Sequence, residues 1–150
     1  ADVRDEVDDR DLMAIVAEQT QSKIEDAWKL DLLQVSTSDH GSPTATVRLV
    51  DAAGAAHEDA AIGSGPVDAV YRAINRVTGA ENVLTEFSVK SVTEGIDAQG
   101  EVTIRIEAGN VVYQGRAADN DILVASARAY LHALNRSIAA TQHAAARAGH

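Results

Sequence analysis

Short runs of alternating apolar and polar residues recur along this chain, each closed by a turn signal. Leu32-Leu33-Gln34-Val35-Ser36-Thr37 opens one series, which residues 44–50 and 55–61 continue, so three strands are predicted. Asp39-His40-Gly41-Ser42-Pro43 and Ala53-Gly54 supply the turns between them. The period then lengthens over 65–78 to that of a helix. The strand series resumes at 84–89, 101–107 and 111–116, with turns at 95–100 and Gly109-Asn110, and a second helix is predicted over 119–136.

The two series are copies of one unit. Thr46-Val47-Arg48-Leu49 returns 57 residues later as Thr103-Ile104-Arg105-Ile106. Ala73-Ile74-Asn75-Arg76 returns 60 residues later as Ala133-Leu134-Asn135-Arg136, in the same order within the pattern. The expected class is therefore α+β: two βββα units, each a three-stranded antiparallel sheet plus a helix, in a pseudo-twofold arrangement. One sheet face per unit is covered by its helix and the other needs a partner, so a homodimer is expected.

Outside the repeat, residues 8–28 carry Leu12, Ile15, Val16, Gln19, Ile24 and Trp28 at helical spacing, with Asp8, Asp9 and Asp11 around the first turn. This stretch reads as a helical arm with no partner in its own sequence. The division follows: an arm or linker over 1–29, a domain over 30–137 with units of about 30–80 and 81–137, and a tail over 138–150. The Ala-rich tail extends or frays from the last helix.

At 150 residues a single core suffices without a metal or a staple. With 45% hydrophobic but only 3% aromatic residues, that core is built from Val, Ile, Leu and Ala. Acids outnumber bases 23 to 13, a net charge of −10 that repels nucleic acid and anionic membrane surfaces alike. The absence of cysteine removes disulfides, thiol nucleophiles and thiolate metal sites. No apolar run reaches the ~18–20 residues of a membrane span and no signal peptide opens the chain. A cytoplasmic location is the expectation.

Candidate chemistry is sparse. The five histidines form no H-x-x-x-H or H-E-x-x-H pair, so no metal ligand set emerges. Glu94, Asp97 and Glu101 cluster at a turn, where Asp is common for backbone reasons alone. Asp119 or Asn120 suits the cap of the last helix. Gly63-Ser64-Gly65-Pro66 matches no phosphate-binding fingerprint, but Gly65 suits a helix cap and Pro66 its first position. Two readings stay open there: a plain helix start, or helix amides at Val67, Asp68 and Ala69 that hold a carboxylate.

Four blocks carry a resemblance. Gly63-Ser64-Gly65-Pro66-Val67-Asp68-Ala69, the run 84–102, Tyr113-Gln114-Gly115 with Asp121-Ile122-Leu123-Val124-Ala125-Ser126, and Ala129-Tyr130-Leu131-His132-Ala133-Leu134-Asn135 together resemble the C-terminal regulatory domain of α-isopropylmalate synthases. The related citramalate and homocitrate-type synthases share that domain. The resemblance covers about residues 30–137. It departs at 115–121, where the family is richer in Gly, Ser and Thr, and at Ser64, where Asp or Asn is frequent.

This resemblance implies a dimeric, non-catalytic domain that binds an end-product amino acid: leucine, or isoleucine for the citramalate relatives. No cofactor belongs to such a domain; a divalent metal and acetyl-CoA would serve a separate catalytic TIM barrel preceding it. Carried over by motif, the effector pocket would draw on Gly65, Pro66, Val67, Asp68 and Ala69, on Leu84, Phe87 and Ser91, and on Asp97, Ala98 and Ile122. Asp97 would receive the ammonium group or serve its turn. A ligand-free dimerisation module is the alternative.

Overall fold

Where the alternation is strictest, at Thr44–Asp51 and Gly100–Ala108, the chain forms the central strand of a sheet. A computed structural model describes residues 26–91 and 99–148. Their order is β1 (Trp28–Ser36), β2 (Thr44–Asp51), β3 (Ala56–Ile62), α1 (Pro66–Thr78), β4 (Val83–Ser91), β5 (Gly100–Ala108), β6 (Val111–Asp119) and α2 (Ile122–Ala148). Two antiparallel meanders result, β1-β2-β3 and β4-β5-β6, each followed by its helix. The expected pair of βββα units is the observed architecture.

One core joins both units. Ala45, Val47 and Leu49 of β2 and Val102, Ile104 and Ile106 of β5 are fully or almost fully buried, while Thr46, Arg48, Thr103 and Arg105 face away. Burying one Val, Leu or Ile side chain contributes about 1.5–3 kcal/mol, so Val47, Leu49, Val102, Ile104 and Ile106 anchor the domain. Helix α1 presents Ala69, Val70, Ala73 and Ile74 to the first sheet. Helix α2 covers β5 and β6 and also reaches β1, so the helices join the two halves.

The repeat extends to an irregularity that periodicity alone does not reveal. In β1 the register shifts between Leu30 and Leu32, and in β4 it shifts between Leu84 and Glu86. Each bulge lets residues three apart share a face. Leu84 pairs with Ile106 and Phe87 with Ile104, just as Leu30 pairs with Leu49 and Leu33 with Val47. The β5–β6 hairpin closes through Gly109 and Asn110, both at positive φ, as a two-residue turn requires.

Several boundaries differ from expectation. Trp28, placed at the end of the arm by its spacing, instead opens β1 and pairs with Asp51. The helical reading of residues 8–25 lies outside the described residues. Strand β6 runs on to Asp119, so α2 starts at Ile122 rather than 119. Asp121, not Asp119 or Asn120, caps it: its Oδ1 accepts the Leu123 N–H at 2.8 Å, whereas Asp119 Oδ1 accepts the Asp121 N–H in the preceding turn. The Ala-rich tail continues α2 through Ala148.

Candidate functional site

The Gly63–Asp68 stretch is shaped by close packing. The Gly63 N–H donates to the Pro43 carbonyl at 3.0 Å, and a methyl group on Gly63 would collide with the backbone of Asp68 and Ala69. Gly65 is the extended residue before α1, and Pro66 fills the first turn, where its missing N–H costs nothing. The Asp68 carboxylate turns back on this loop. It accepts the Ser64 N–H at 2.8 Å and the Ser64 hydroxyl at 3.2 Å, and Arg72 Nε donates to it at 2.9 Å. The Ser64 N–H, foremost, holds the Asp68 carboxyl below its usual range, with Arg72 adding to the effect.

Asp68 therefore places its own negative charge at the positive end of α1 and braces the loop. Ala69 is fully buried in the core, which makes it a packing residue. Val67 is half-buried and Pro66 exposed at the helix start. The Val67 and Asp68 amides belong to the first turn, where the helix itself offers no acceptor.

The second group lies on β4, an edge strand whose substantial packing is with β5. Phe87, Val89 and Ser91 follow one another on the core-side face, opposite Ile104, Val102 and Gly100. Helix α2 lies over β5 and β6, so this face of β4 is open: Phe87 is 37% and Val89 48% exposed. Leu84, beyond the bulge, is half-buried against the core. At the other end Ile122 closes over Gly100, where an added methyl would overlap the Ile122 Cδ1 and lie 3.5 Å from Val89 Cγ1.

The structure thus brings Phe87, Ser91 and Ile122 onto one open apolar face with Val89 and Gly100. The α1 group belongs to the first unit, against β2 and β3. Asp97 and Ala98 lie outside the described residues. Val89 and Gly100 were absent from the sequence-derived set. Strand alternation from Phe87 signals the first, and a glycine inside a strand pattern signals the close approach at the second.

Elsewhere a cleft of about 320 Å³ opens between the end of α1, the β5–β6 turn and mid-α2, lined by Thr78, Ala80, Tyr113, Leu134, Ile138 and Thr141 among others. None of the effector-pocket residues carried over by motif lines it. Among the described residues no three His, Asp or Glu side chains gather as a metal site, and no helix is long and apolar enough to cross a membrane.

Comparison with known proteins identifies the family of the chain. Residues 6–138 match the LeuA allosteric (dimerisation) domain family, a span that reaches well before β1. A 2-isopropylmalate synthase of Picosynechococcus sp. strain PCC 7002 is 55% identical over 142 residues, which is 95% of this chain and 26% of that protein. Those of Crocosphaera subtropica and Gloeothece citriformis are each 56% identical over 142 residues, with the same coverage. The chain spans about a quarter of the length of these curated relatives. A family match over residues 6–138, together with more than half identity to these relatives across 95% of the chain, settles the relationship: the chain belongs to the LeuA allosteric (dimerisation) domain family.

Proposed function

We propose that this chain is the feedback-regulatory part of a 2-isopropylmalate synthase: it dimerises, binds leucine, and passes that binding to a catalytic barrel elsewhere in the protein. The open core-side face of β4 is the observation that carries the ligand reading. Phe87, Val89 and Ile122 offer an aliphatic side chain an apolar wall, and Ser91 offers a hydroxyl beside it. The start of α1 offers amides for a carboxylate, so a ligand bridging both groups would contact both units or two copies of the chain. Exposed Phe87, Val89, Val83, Val111 and Val112 make a second copy a reasonable cover.

Inhibition at a distance requires that leucine favour one arrangement of the dimer, with a coupling of about 1–3 kcal/mol. Calorimetric titration with leucine, isoleucine and valine tests the reading. Saturable leucine binding is expected, and Phe87→Ala should weaken it about tenfold or more while sedimentation still reports a dimer. An isoleucine preference would move the assignment to a citramalate-type synthase. A folded dimer that responds to none of the three amino acids would leave a module for assembly alone.

A further inference from the structure

The repeat-related asparagines Asn75 and Asn135 are used differently, and the difference falls where the chain enters the domain. Asn135 of α2 clasps the backbone of a residue 107 positions away. Its Nδ2 donates to the Trp28 carbonyl at 2.9 Å, and its Oδ1 accepts the Trp28 N–H at 3.1 Å. β1 is an edge strand, so the main-chain groups pointing away from the sheet need other partners, and the Asn135 amide matches them as a neighbouring strand would.

In the second half the corresponding junction is Asn82, two residues ahead of Leu84 as Trp28 is ahead of Leu30. Asn75 reaches it only through an intermediary: Tyr130 hydroxyl donates to Asn75 Oδ1 and accepts from Asn82 Nδ2. Asn82 continues a connection internal to the domain, whereas Trp28 continues residues 1–27. The direct clasp is therefore confined to the junction with the preceding segment. The Trp28 ring is fixed separately, edge-on to His57 at 5.4 Å, and His57 Nε2 is 2.8 Å from Asp51 Oδ2.

The opposite end of the same helix is Ile122, which closes over Gly100 beside Val89 and Ser91. From Ile122 to Asn135 is about 20 Å of continuous helix at ~1.5 Å per residue. Such a rod transmits a shift at one end to the other, and a clasp made of two hydrogen bonds loses its geometry once its donor–acceptor distances stretch beyond about 3.5 Å. We propose that Asn135 is a positioning residue that couples the start of α2, beside the β4 face, to the chain entering at Trp28. An occupant of that face would thereby be reported to the segment ahead of the domain. The regulatory meaning of this coupling rests on the effector reading above; the mechanical coupling does not.

The chain holds a single tryptophan, so its emission reports Trp28 alone. Gly100→Ala pushes on Ile122 without any ligand, and Ile122→Val supplies a gentler perturbation should that variant fail to fold. With Asn135 present, either is expected to shift Trp28 emission and change the Trp28 amide exchange rate about fivefold; with Asn135→Ala, the same change should fall below about twofold. Strictly additive effects, as from an asparagine that only stabilises β1, would overturn the proposal. Added leucine provides a second arm: Asn135→Ala should still bind it with affinity within about threefold, yet with a silent Trp28. Absence of leucine binding would count against the effector reading, while the Gly100 and Ile122 comparison would still decide the coupling.

Discussion

Gly115→Ala should destabilise the domain by about 3 kcal/mol or more, the upper part of the usual overpacking range. For a domain of this size that is a melting temperature lower by about 6–12 °C. Gly115 lies on the core-side face of β6, paired with Ile104, directly beneath α2. A methyl there would overlap the Ala129 carbonyl and the Ala133 N. These are backbone atoms of a helix, so no side-chain rotation relieves the clash and α2 must lift from the sheet. Gly115 is not among the glycines with positive φ, so the requirement is for space alone. Gly54→Ala makes the control: its φ is +87°, nothing lies within 4 Å of the added methyl, and its cost should be about 1 kcal/mol from backbone strain. Equal losses at both positions would show that α2 does not depend on close contact at Gly115.

Contacts of this kind mark what was legible in the amino-acid sequence. The strands of both units follow from alternation, because their central strands each put one face into the core and one outside. Thr46-Val47-Arg48-Leu49 and its copy even share an outward arginine with cross-strand carboxylate partners: Arg48 with Glu58, and Arg105 with Glu86. Exposed pairs of this kind contribute little to stability, and the repetition reflects the shared unit. The bulges at Asp31 and Thr85 were not legible, since an extra residue breaks the period that reveals a strand. Leu84 and Phe87, three apart, share a face only because of one. Likewise, Asn75 and Asn135 stand out in the sequence as a repeated pair, but the partner of Asn135 is 107 residues away and no local rule connects them. Of the candidate site, the β4 and Ile122 residues form a face, whereas the carboxylate of Asp68 is engaged with its own loop.

Tyr130 is where the halves of the repeat lock together, and its replacement should separate two kinds of stabilisation. The side chain is 1% exposed, and its ring lies 4.7 Å from that of Tyr71. Tyr130→Ala should cost about 3–5 kcal/mol through the cavity it leaves. Tyr130→Phe keeps the ring but leaves Asn75 Oδ1 and Asn82 Nδ2 without this partner, a cost of about 1–3 kcal/mol. The hydroxyl also predicts a pH dependence. Burial, above all, pushes its pKa well above the ordinary 10.0, so the folded state favours the protonated phenol. Its contribution is complete below about pH 10 and is lost as the pH rises toward the folded value, because only the unfolded chain ionises readily in that window. Wild-type stability should therefore fall relative to Tyr130→Phe by up to about 1.4 kcal/mol per pH unit above pH 10. Taking the difference between the two proteins isolates the effect of the Tyr130 hydroxyl. Parallel alkaline curves would mean that the hydroxyl gives up its proton as easily folded as unfolded. The bridge from α2 to Asn75 would then not be what joins the halves, leaving that task to the packing of the helices on the two sheets.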